Sequence, residues 1–276
     1  EQIILTDNSN IVEATCDLAL PDETPTYTWT ISPNSGYTLG NDSNGNLTTL
    51  NSQNPAISFT DIGTYTAALT VTTECGSDTH TETFSVLGDP TVEFQTSEIS
   101  FCSLSSLDID FSTEISPIYS TGLASPTDFL WTVSGPGITN LDYSFNGTNP
   151  TDKFPQISLN SFGTYNITVA VGSNCDNASS DTVSIILSQT PTITNTINSQ
   201  NICTNQASNQ FDFSSDLTST TYSWLATENE NLTGYENNGS DAFIPSQIIS
   251  NLTNVEQDLI YTITPNADGC EGDSFQ

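Results

Sequence analysis

Cysteine is the residue type whose spacing says most about chemistry in this sequence. No cysteine pair has the C-x₂-C spacing typical of zinc sites, and the sequence contains a single histidine, His80. Disulfides are therefore the favoured interpretation, and they indicate an oxidising, extracytoplasmic location. The six cysteines are Cys16, Cys75, Cys102, Cys175, Cys203 and Cys270.

Acidic and amide side chains concentrate in two turn-like segments, "GNDSNGNL" and "NADGCEGD". Hard oxygen donors clustered in turns suit Ca²⁺, so Ca²⁺ is the one ion that the sequence suggests, and no cofactor is required. Neither segment matches the EF-hand pattern. Asp and Asn also fill turns because they hydrogen-bond their own backbone, which leaves both interpretations open. The candidate ligands are Asp42, Asn44, Asn46, Asp268, Glu271 and Asp273.

Catalytic chemistry has little support in the sequence. A Ser–His–Asp or Cys–His arrangement would have to use His80, which lies in "SDTHTETF", a polar segment typical of a solvent-facing strand or hairpin. Carboxylates for glycoside hydrolysis are plentiful, but a small β-sandwich offers no large cleft for a sugar chain. We predict no catalytic residue and no enzyme activity.

The charge balance excludes several classes of partner. The chain has 33 acidic residues and one cation, Lys153, for a formal net charge of −32. Nucleic acids and anionic membranes are bound through Lys and Arg, so neither is expected as a partner. No apolar run approaches the ~18–20 residues of a membrane span, and we expect no membrane insertion by this segment.

A repeat organises the chain. "FTDIGTYTAALTVTTECG", which begins at Phe59, aligns with "LNSFGTYNITVAVGSNCD", which begins at Leu159, and a third, weaker copy follows. Each copy carries one early cysteine, one tryptophan, one tyrosine and one late cysteine. The pairing that respects the repeat is Cys16–Cys75, Cys102–Cys175 and Cys203–Cys270. The tryptophans and tyrosines are predicted core markers: Trp29, Trp131, Trp224, Tyr65, Tyr165 and Tyr261.

The segments around these markers alternate between apolar and polar residues, which is typical of half-buried strands. Asn, Gly, Ser, Asp and Pro clusters separate them, as turns require. The segment 245–259 is the best candidate for a turn or short helix. Short Thr-rich strands at this spacing, with a tryptophan between two cysteines in each copy, predict an all-β protein of tandem immunoglobulin-like β-sandwiches with one disulfide per domain.

Proline-marked joints around residues 88–90 and 189–191 place the domain boundaries. The predicted domains are residues 1–88, 89–190 and 191–276. Such short, Pro-stiffened joints favour a semi-rigid rod. The third domain is expected to be truncated, because only "EGDSFQ" follows Cys270, where a further apolar strand follows in the first two copies.

The repeated segments resemble a known family. "DIGTYTAALTVTTECG" and "SFGTYNITVAVGSNCD" are similar to the G-T-Y strand of polycystic-kidney-disease (PKD) domains. "LIYTITPNADGCEGD" resembles the closing stretch of PKD-like modules in giant Bacteroidota surface proteins, including gliding adhesins exported by the type IX system. The W-D-F-G-D-G motif of typical PKD domains is missing. The resemblance implies an extracellular spacer or adhesive stalk without catalytic residues.

The predicted function is that of a non-catalytic fragment of a repetitive cell-surface adhesin, acting as a stalk or spacer and as a multivalent attachment module. Expected partners are neighbouring modules of the same long chain and a surface, glycan or protein ligand that the sequence does not identify. Two alternatives stay open. One is a surface-layer or filament subunit that assembles through Ca²⁺, and the other is a set of accessory modules of a secreted hydrolase.

Overall fold

A computed structural model describes residues 2–9, 24–74, 76–173, 178–196 and 199–276. In these residues the regular structure is β-strand, apart from one short 3₁₀ turn at Gly122–Ala124. The all-β prediction is confirmed. The segment 245–259 differs from its prediction, because it contains the strand Ile248–Asn251 in place of a helix or turn. The β-branched pair Ile248–Ile249 favours that conformation.

Region 1 is built from the first six strands, which form two three-stranded antiparallel sheets in the orders β1-β4-β3 and β2-β5-β6. Trp29 and Ile31 of one sheet pack with Ile57 of the other, as alternation in the sequence predicted. The strands are β1 (Gln2–Ile4), β2 (Thr26–Ser32), β3 (Tyr37–Leu39), β4 (Ala56–Phe59), β5 (Gly63–Thr73) and β6 (Gly76–Val86).

Region 2 contains the next nine strands. They are β7 (Val92–Glu93), β8 (Glu98–Ser103), β9 (Leu107–Asp110), β10 (Ile118–Tyr119), β11 (Asp128–Ser134), β12 (Tyr143–Phe145), β13 (Gln156–Leu159), β14 (Gly163–Gly172) and β15 (Ser179–Gln189). A four-stranded sheet has the order β11-β14-β15-β8, in which β8 pairs parallel to β15, and a three-stranded sheet has the order β12-β13-β9. A two-stranded sheet joins β10 to β7.

Region 3 contains the last nine strands. They are β16 (Gln206–Ala207), β17 (Phe211–Asp212), β18 (Thr221–Ala226), β19 (Leu232–Thr233), β20 (Asn238–Gly239), β21 (Phe243–Ile244), β22 (Ile248–Asn251), β23 (Tyr261–Ala267) and β24 (Cys270–Glu271). The sheet orders are β20-β18-β23-β24, β16-β22-β19 and β17-β21. Phe213, Tyr222, Trp224, Ile244 and Ile263 form its buried core.

The described chain falls into two compact units. Unit 1 comprises Glu1–Glu93, Ile118–Phe129 and Ala170–Ser180. Unit 2 comprises Phe94–Pro117, Leu130–Val169 and Asp181–Gln276. The three-domain division of the sequence, at residues 1–88, 89–190 and 191–276, stays a prediction.

The core markers behave largely as expected. Five of the six are at most 8 % exposed, whereas Tyr261 is half-buried against the core of region 3. Period-two alternation is clearest in β14, where every second side chain from Tyr165 to Val171 is buried.

Candidate functional site

The cysteine pairing differs from the one that the repeat predicts. Cys102 in β8 is bonded to Cys270 in β24, with an S–S distance of 2.12 Å and Cα atoms 5.5 Å apart. Cys203 is exposed and free. The predicted pairs Cys102–Cys175 and Cys203–Cys270 are therefore wrong. Cys16, Cys75 and Cys175 lie outside the described residues, and the pair Cys16–Cys75 stays a prediction.

The strand register explains why Cys102 meets Cys270. The parallel pairing of β8 with β15 sets Cys102 opposite Ser188, just before Pro191 in the chain. The β24 hairpin approaches the same joint, since a Cβ atom on Gly272 would lie 2.0 Å from the carbonyl oxygen of Pro191. A sequence repeat carries no information on this approach between elements of different copies.

The first candidate Ca²⁺ cluster is a self-contained turn. Asp42 Oδ1 accepts hydrogen bonds from the backbone N–H groups of Asn44 (2.9 Å) and Asn46 (2.8 Å). The backbone bond from Asn46 is the main reason that the pKa of Asp42 is lowered. Gly45 adopts φ = +83°, which a glycine does at little cost. Turn chemistry therefore accounts for these side chains.

The second candidate cluster, Asp268, Glu271 and Asp273, surrounds the β23–β24 hairpin. Asp268 (φ = 51°) and Gly269 (φ = 82°) take the left-handed conformations of a two-residue Asp-Gly hairpin turn. Among the described residues, no three His, Cys, Asp or Glu side chains come together in a group that could hold a metal ion. The structure thus gathers neither cluster into a site of that kind, and Ca²⁺ binding stays a prediction.

His80 in β6 is exposed, as its polar segment predicted, although it lies opposite the core residue Leu69. Its Nε2 is 2.9 Å from Glu82 Oε1, and both side chains are 75 % exposed. On the other face of this hairpin, the hydroxyls of Thr70 and Thr79 lie 2.8 Å apart across β5 and β6. Region 2 repeats the device with Thr168 and Thr182 at 2.7 Å. Cross-strand hydroxyl pairs of this kind stabilise antiparallel ladders.

The repeated tyrosine forms a lock that the sequence analysis missed. The hydroxyl of Tyr65 donates to the backbone oxygens of Gly36 and Asp61, both at 3.1 Å. In region 2 the hydroxyl of Tyr165 lies 3.0 Å from the oxygen of Asp142 and 2.6 Å from that of Ser161.

Each tyrosine hydroxyl thus donates to the carbonyl oxygen four residues upstream and to a second carbonyl oxygen in a distant loop, as in a tyrosine corner. The Gly-Thr-Tyr motif, with its fixed offset to the upstream turn, is the sequence feature that could have revealed this lock.

The regions also differ in the hydrogen bonding of their tryptophans. Trp29 Nε1 donates to the oxygen of Gln53 at 3.3 Å, and Trp131 Nε1 donates to that of Asp152 at 3.0 Å. Trp224 Nε1 is buried without a hydrogen-bond partner in the described structure. A buried unpaired donor costs about 1–3 kcal/mol of stability. The tryptophan of region 3 therefore carries an energetic penalty that the hydrogen-bonded tryptophans of regions 1 and 2 avoid.

Region 3 also contains a cavity of about 830 Å³. Its walls come from β22, from the start of β23, from Phe275 and Gln276, and from the segments 199–204 and 253–260. Leu232, Ile249 and Ile263 give it an apolar floor. Most pockets for ligands are predominantly apolar, whereas about half of the residues that line this cavity are polar.

Comparison with known proteins gives one family match. Residues 200–276 match the PKD-like domain family. The match supports a PKD-like module in region 3, as the resemblance of "LIYTITPNADGCEGD" predicted. It covers less than half of the chain. No curated protein matches the sequence.

Several solved structures are similar to the chain at low identity. A three-domain I-band fragment of titin matches at 12 % identity with a TM-score of 0.40, over 90 % of this chain and 86 % of that one. Extracellular domains 3–5 of Drosophila OTK match at 13 % with a TM-score of 0.34, over 99 % and 90 %. Mouse cadherin-23 domains EC22–24 match at 15 % with a TM-score of 0.35, over 91 % and 86 %. These scores are too low to carry an argument.

Within the described ranges, no helix is long and apolar enough to cross a bilayer.

Proposed function

We propose that this chain is a non-catalytic stalk segment of an extracellular adhesin, in which each sandwich acts as a stiff spacer. The observation that carries the proposal is the recurrence of one locking scheme. A buried tyrosine tied to two backbone carbonyls and a tryptophan tied to a third recur in regions 1 and 2.

Hydrogen bonds of this kind contribute to the mechanical stiffness of a domain more directly than to a catalytic reaction. They fix loops to strands through buried hydroxyl and indole groups, which remain bonded only while the sandwich is intact. The Cys102–Cys270 disulfide adds a covalent constraint across unit 2. A segment that transmits force between a surface and a tip needs these properties and no cleft.

The charge suits a role outside the cell. A formal net charge of −32 keeps neighbouring copies of an acidic stalk apart and hinders lateral aggregation of Thr-rich strands. The PKD-like match of residues 200–276 supports the same class. We further propose a cell-surface location, and a gliding-type adhesin of Bacteroidota exported by the type IX system as the parent protein.

The decisive experiment replaces the segment in its parent protein. Source cells carrying an unrelated chain of immunoglobulin-like sandwiches of matched length are compared with cells that lack the segment. A spacer predicts that the unrelated sandwiches restore attachment and that simple deletion reduces it. Attachment that only the native sequence restores would contradict the spacer role and indicate direct ligand binding.

Antibody labelling of intact source cells tests the location. Serum raised against the segment should label long surface fibres, and its Fab fragments should block attachment or movement. A uniform static coat would favour the lattice alternative, and label found only in the medium would favour accessory modules of a secreted hydrolase.

A further inference from the structure

The disulfide of the described structure joins two consecutive regions, not the two cysteines of one repeat copy. It bonds Cys102, the early cysteine of region 2, to Cys270, the late cysteine of region 3. An early cysteine thus meets the late cysteine of the region that follows it. The early cysteines of the three copies are Cys16, Cys102 and Cys203, and the late ones are Cys75, Cys175 and Cys270.

The strand β15 keeps the two cysteines of region 2 apart. Cys102 lies opposite Ser188, near the end of β15, whereas Cys175 comes four residues before Ser179, where β15 begins. Ser179 and Ser188 are about 30 Å apart along the strand. The four residues from Cys175 to Ser179 span at most about 14 Å, and bonded cysteines need Cα atoms within about 7 Å. The early and late cysteines of this copy therefore cannot pair.

At the second joint, residues 189–191, the late hairpin of region 3 reaches the early cysteine of region 2. The pairing of β8 with β15 continues to Ser103 and Gln189, so Cys102 lies beside the start of the joint. Gly272 in the late hairpin packs against the carbonyl oxygen of Pro191, which a Cβ atom at that position would meet. The joint therefore brings the two bonded cysteines together.

At the first joint, residues 88–90, described residues also connect the joint to the end of β14 in the following region. The backbone N–H of Gly88 donates to the oxygen of Leu123 at 3.3 Å. The N–H of Thr127 donates at 2.9 Å to the oxygen of Gly172, the last residue of β14. Cys175 follows Gly172 by three residues. The late cysteine of region 2 thus belongs to a segment that starts beside this joint.

The division into compact units agrees with this arrangement. Ala170–Ser180, the segment that contains Cys175, belongs to the same unit as Glu1–Glu93, the segment that contains Cys16. The two cysteines themselves lie outside the described residues. The observed bond likewise has both of its partners within one unit, unit 2.

Cys203 holds the position in region 3 that Cys102 holds in region 2. Cys102 follows Pro90 by 12 residues, and Cys203 follows Pro191 by the same 12. Cys102 is bonded, whereas Cys203 is exposed and free. A thiol that is free where its counterpart is bonded is available for the same kind of bond.

We propose that a disulfide joins each early cysteine to the late cysteine of the following region, and that Cys203 is the attachment point for the late cysteine of a further PKD-like module. Within this chain the rule assigns Cys16 to Cys175. That assignment competes with the predicted pair Cys16–Cys75, and it leaves Cys75 and Cys203 as thiols.

The chemistry of each bond is oxidation of two thiols. The two sulfur atoms lose two protons and two electrons, and a low-molecular-weight disulfide takes these up and is reduced to two thiols. Bonds of this kind restrain the joint between two regions instead of stapling one sandwich. The inference concerns covalent links between consecutive modules and stands independently of the stalk role proposed above.

Disulfide mapping of the full chain tests the rule. The chain is purified without reductant, blocked with an alkylating reagent, cleaved after acidic residues and analysed by mass spectrometry. We expect the reagent on Cys75 and Cys203, and a linked pair of peptides that contains Cys16 and Cys175. Alkylation of Cys16, or a bond from Cys16 to any other cysteine, would overturn the rule.

A second copy of the chain tests the attachment point, because Cys75 of one copy is then a late cysteine available to Cys203 of another. Concentrated chain is oxidised with glutathione disulfide, and covalent dimers are separated under non-reducing conditions and mapped. We expect the mixed bond Cys75–Cys203 to exceed the symmetrical bond Cys203–Cys203 roughly tenfold, because contacts at the joint raise the effective concentration of the matching thiol.

Two variants serve as controls for the dimer. Cys75→Ser and Cys203→Ser should each remove the mixed dimer, whereas both leave the observed bond Cys102–Cys270 in place. Mixed and symmetrical dimers in statistical proportion would overturn the role of Cys203 as an attachment point. Dimers that persist at the parental yield in Cys75→Ser, or no covalent dimer at millimolar chain concentration, would overturn it as well.

Discussion

Regions 2 and 3 share the same order of cysteine, tryptophan, tyrosine and cysteine, but they differ in strand pairing, in the burial of the tyrosine and in the hydrogen bonding of the tryptophan. In region 2 the strand β14 lies inside a four-stranded sheet, Tyr165 is fully buried and Trp131 is hydrogen-bonded. In region 3 the corresponding β23 pairs with the two-residue strand β24, Tyr261 is half-buried and Trp224 Nε1 has no hydrogen-bond partner in the described structure.

The difference shows which parts of the repeat are kept in region 3. Apolar alternation and the central tryptophan are kept, and both contribute to its core. The tyrosine lock is replaced, since the Tyr261 hydroxyl reaches the oxygen of Glu236 at 3.2 Å and the side-chain oxygen of Gln247 at 3.1 Å. We expect region 2 to be the more stable of the two.

The largest expected effect comes from the disulfide that ties β24 of region 3 to β8 of region 2. Cys270→Ser should lower the free energy of unfolding by roughly 2–5 kcal/mol, because the bond constrains an unfolded loop with a sequence separation of 168. Cys203→Ser is the matched control and should change little, since that thiol is free and exposed. Urea unfolding followed by tryptophan fluorescence measures both.

Equal losses in the two cysteine variants would contradict the observed pairing and restore the pair Cys203–Cys270. Peptide mapping without reductant gives an independent answer, as it should recover the linked segments that contain Cys102 and Cys270.

The tyrosines give the second contrast. Tyr165→Phe removes a fully buried hydroxyl from two backbone acceptors and should cost about 1–3 kcal/mol. Tyr261→Phe should cost less, about 1 kcal/mol or below, because Tyr261 is half-buried and the oxygen of the exposed Glu236 can bind water instead. Urea denaturation of the two variants at neutral pH measures the difference, and a costlier Tyr261→Phe would refute the assigned ranking of the locks.

The sequence predicts the all-β fold and the buried faces well because both follow from local alternation. Trp29, Trp131 and Tyr165 are buried as their phase in the strands requires. The disulfide pairing fails because it depends on how the β24 hairpin approaches Pro191, which no repeat encodes.

The candidate site is harder to predict from sequence for the same reason. Asp42 and Asp268 have the composition of Ca²⁺ ligands, but their backbone turns determine where the oxygens point.

The tryptophans provide a smaller contrast. Trp131→Phe and Trp224→Phe both remove similar ring volume, but only the first breaks a hydrogen bond, to the oxygen of Asp152. The first variant should therefore lose about 1 kcal/mol more than the second. Thermal unfolding by circular dichroism compares them, and equal losses would mean that the bond to Asp152 contributes nothing net.

The smallest expected effect is the dependence of stability on pH through Asp142. Hydrogen bonds from the Ser161 hydroxyl and then from Thr139 lower the pKa of Asp142, whose own carbonyl holds Tyr165. Neither Tyr165 nor Tyr261 donates to a carboxylate, so the acid dependence arises from the turn in which the Asp142 carboxylate accepts hydrogen bonds from Ser161 and Thr139. A pKa below the unfolded value of about 3.9 stabilises the fold above that pH, and the stabilisation is lost as the pH falls through the folded pKa.

Asp142→Asn should thus lower stability at pH 7, and its gap to the parent chain should narrow as the pH falls below the unfolded pKa of about 3.9. Urea midpoints of both chains from pH 7 down to pH 2 measure the gap. Other acids with lowered pKa values, such as Asp42 and Asp110, are common to both chains and cancel in the comparison. If the difference in stability between the two chains stayed constant with pH, the negative charge of Asp142 would contribute nothing. The tyrosine lock of region 2 would then be stabilised by the neutral hydrogen bonds of this turn alone.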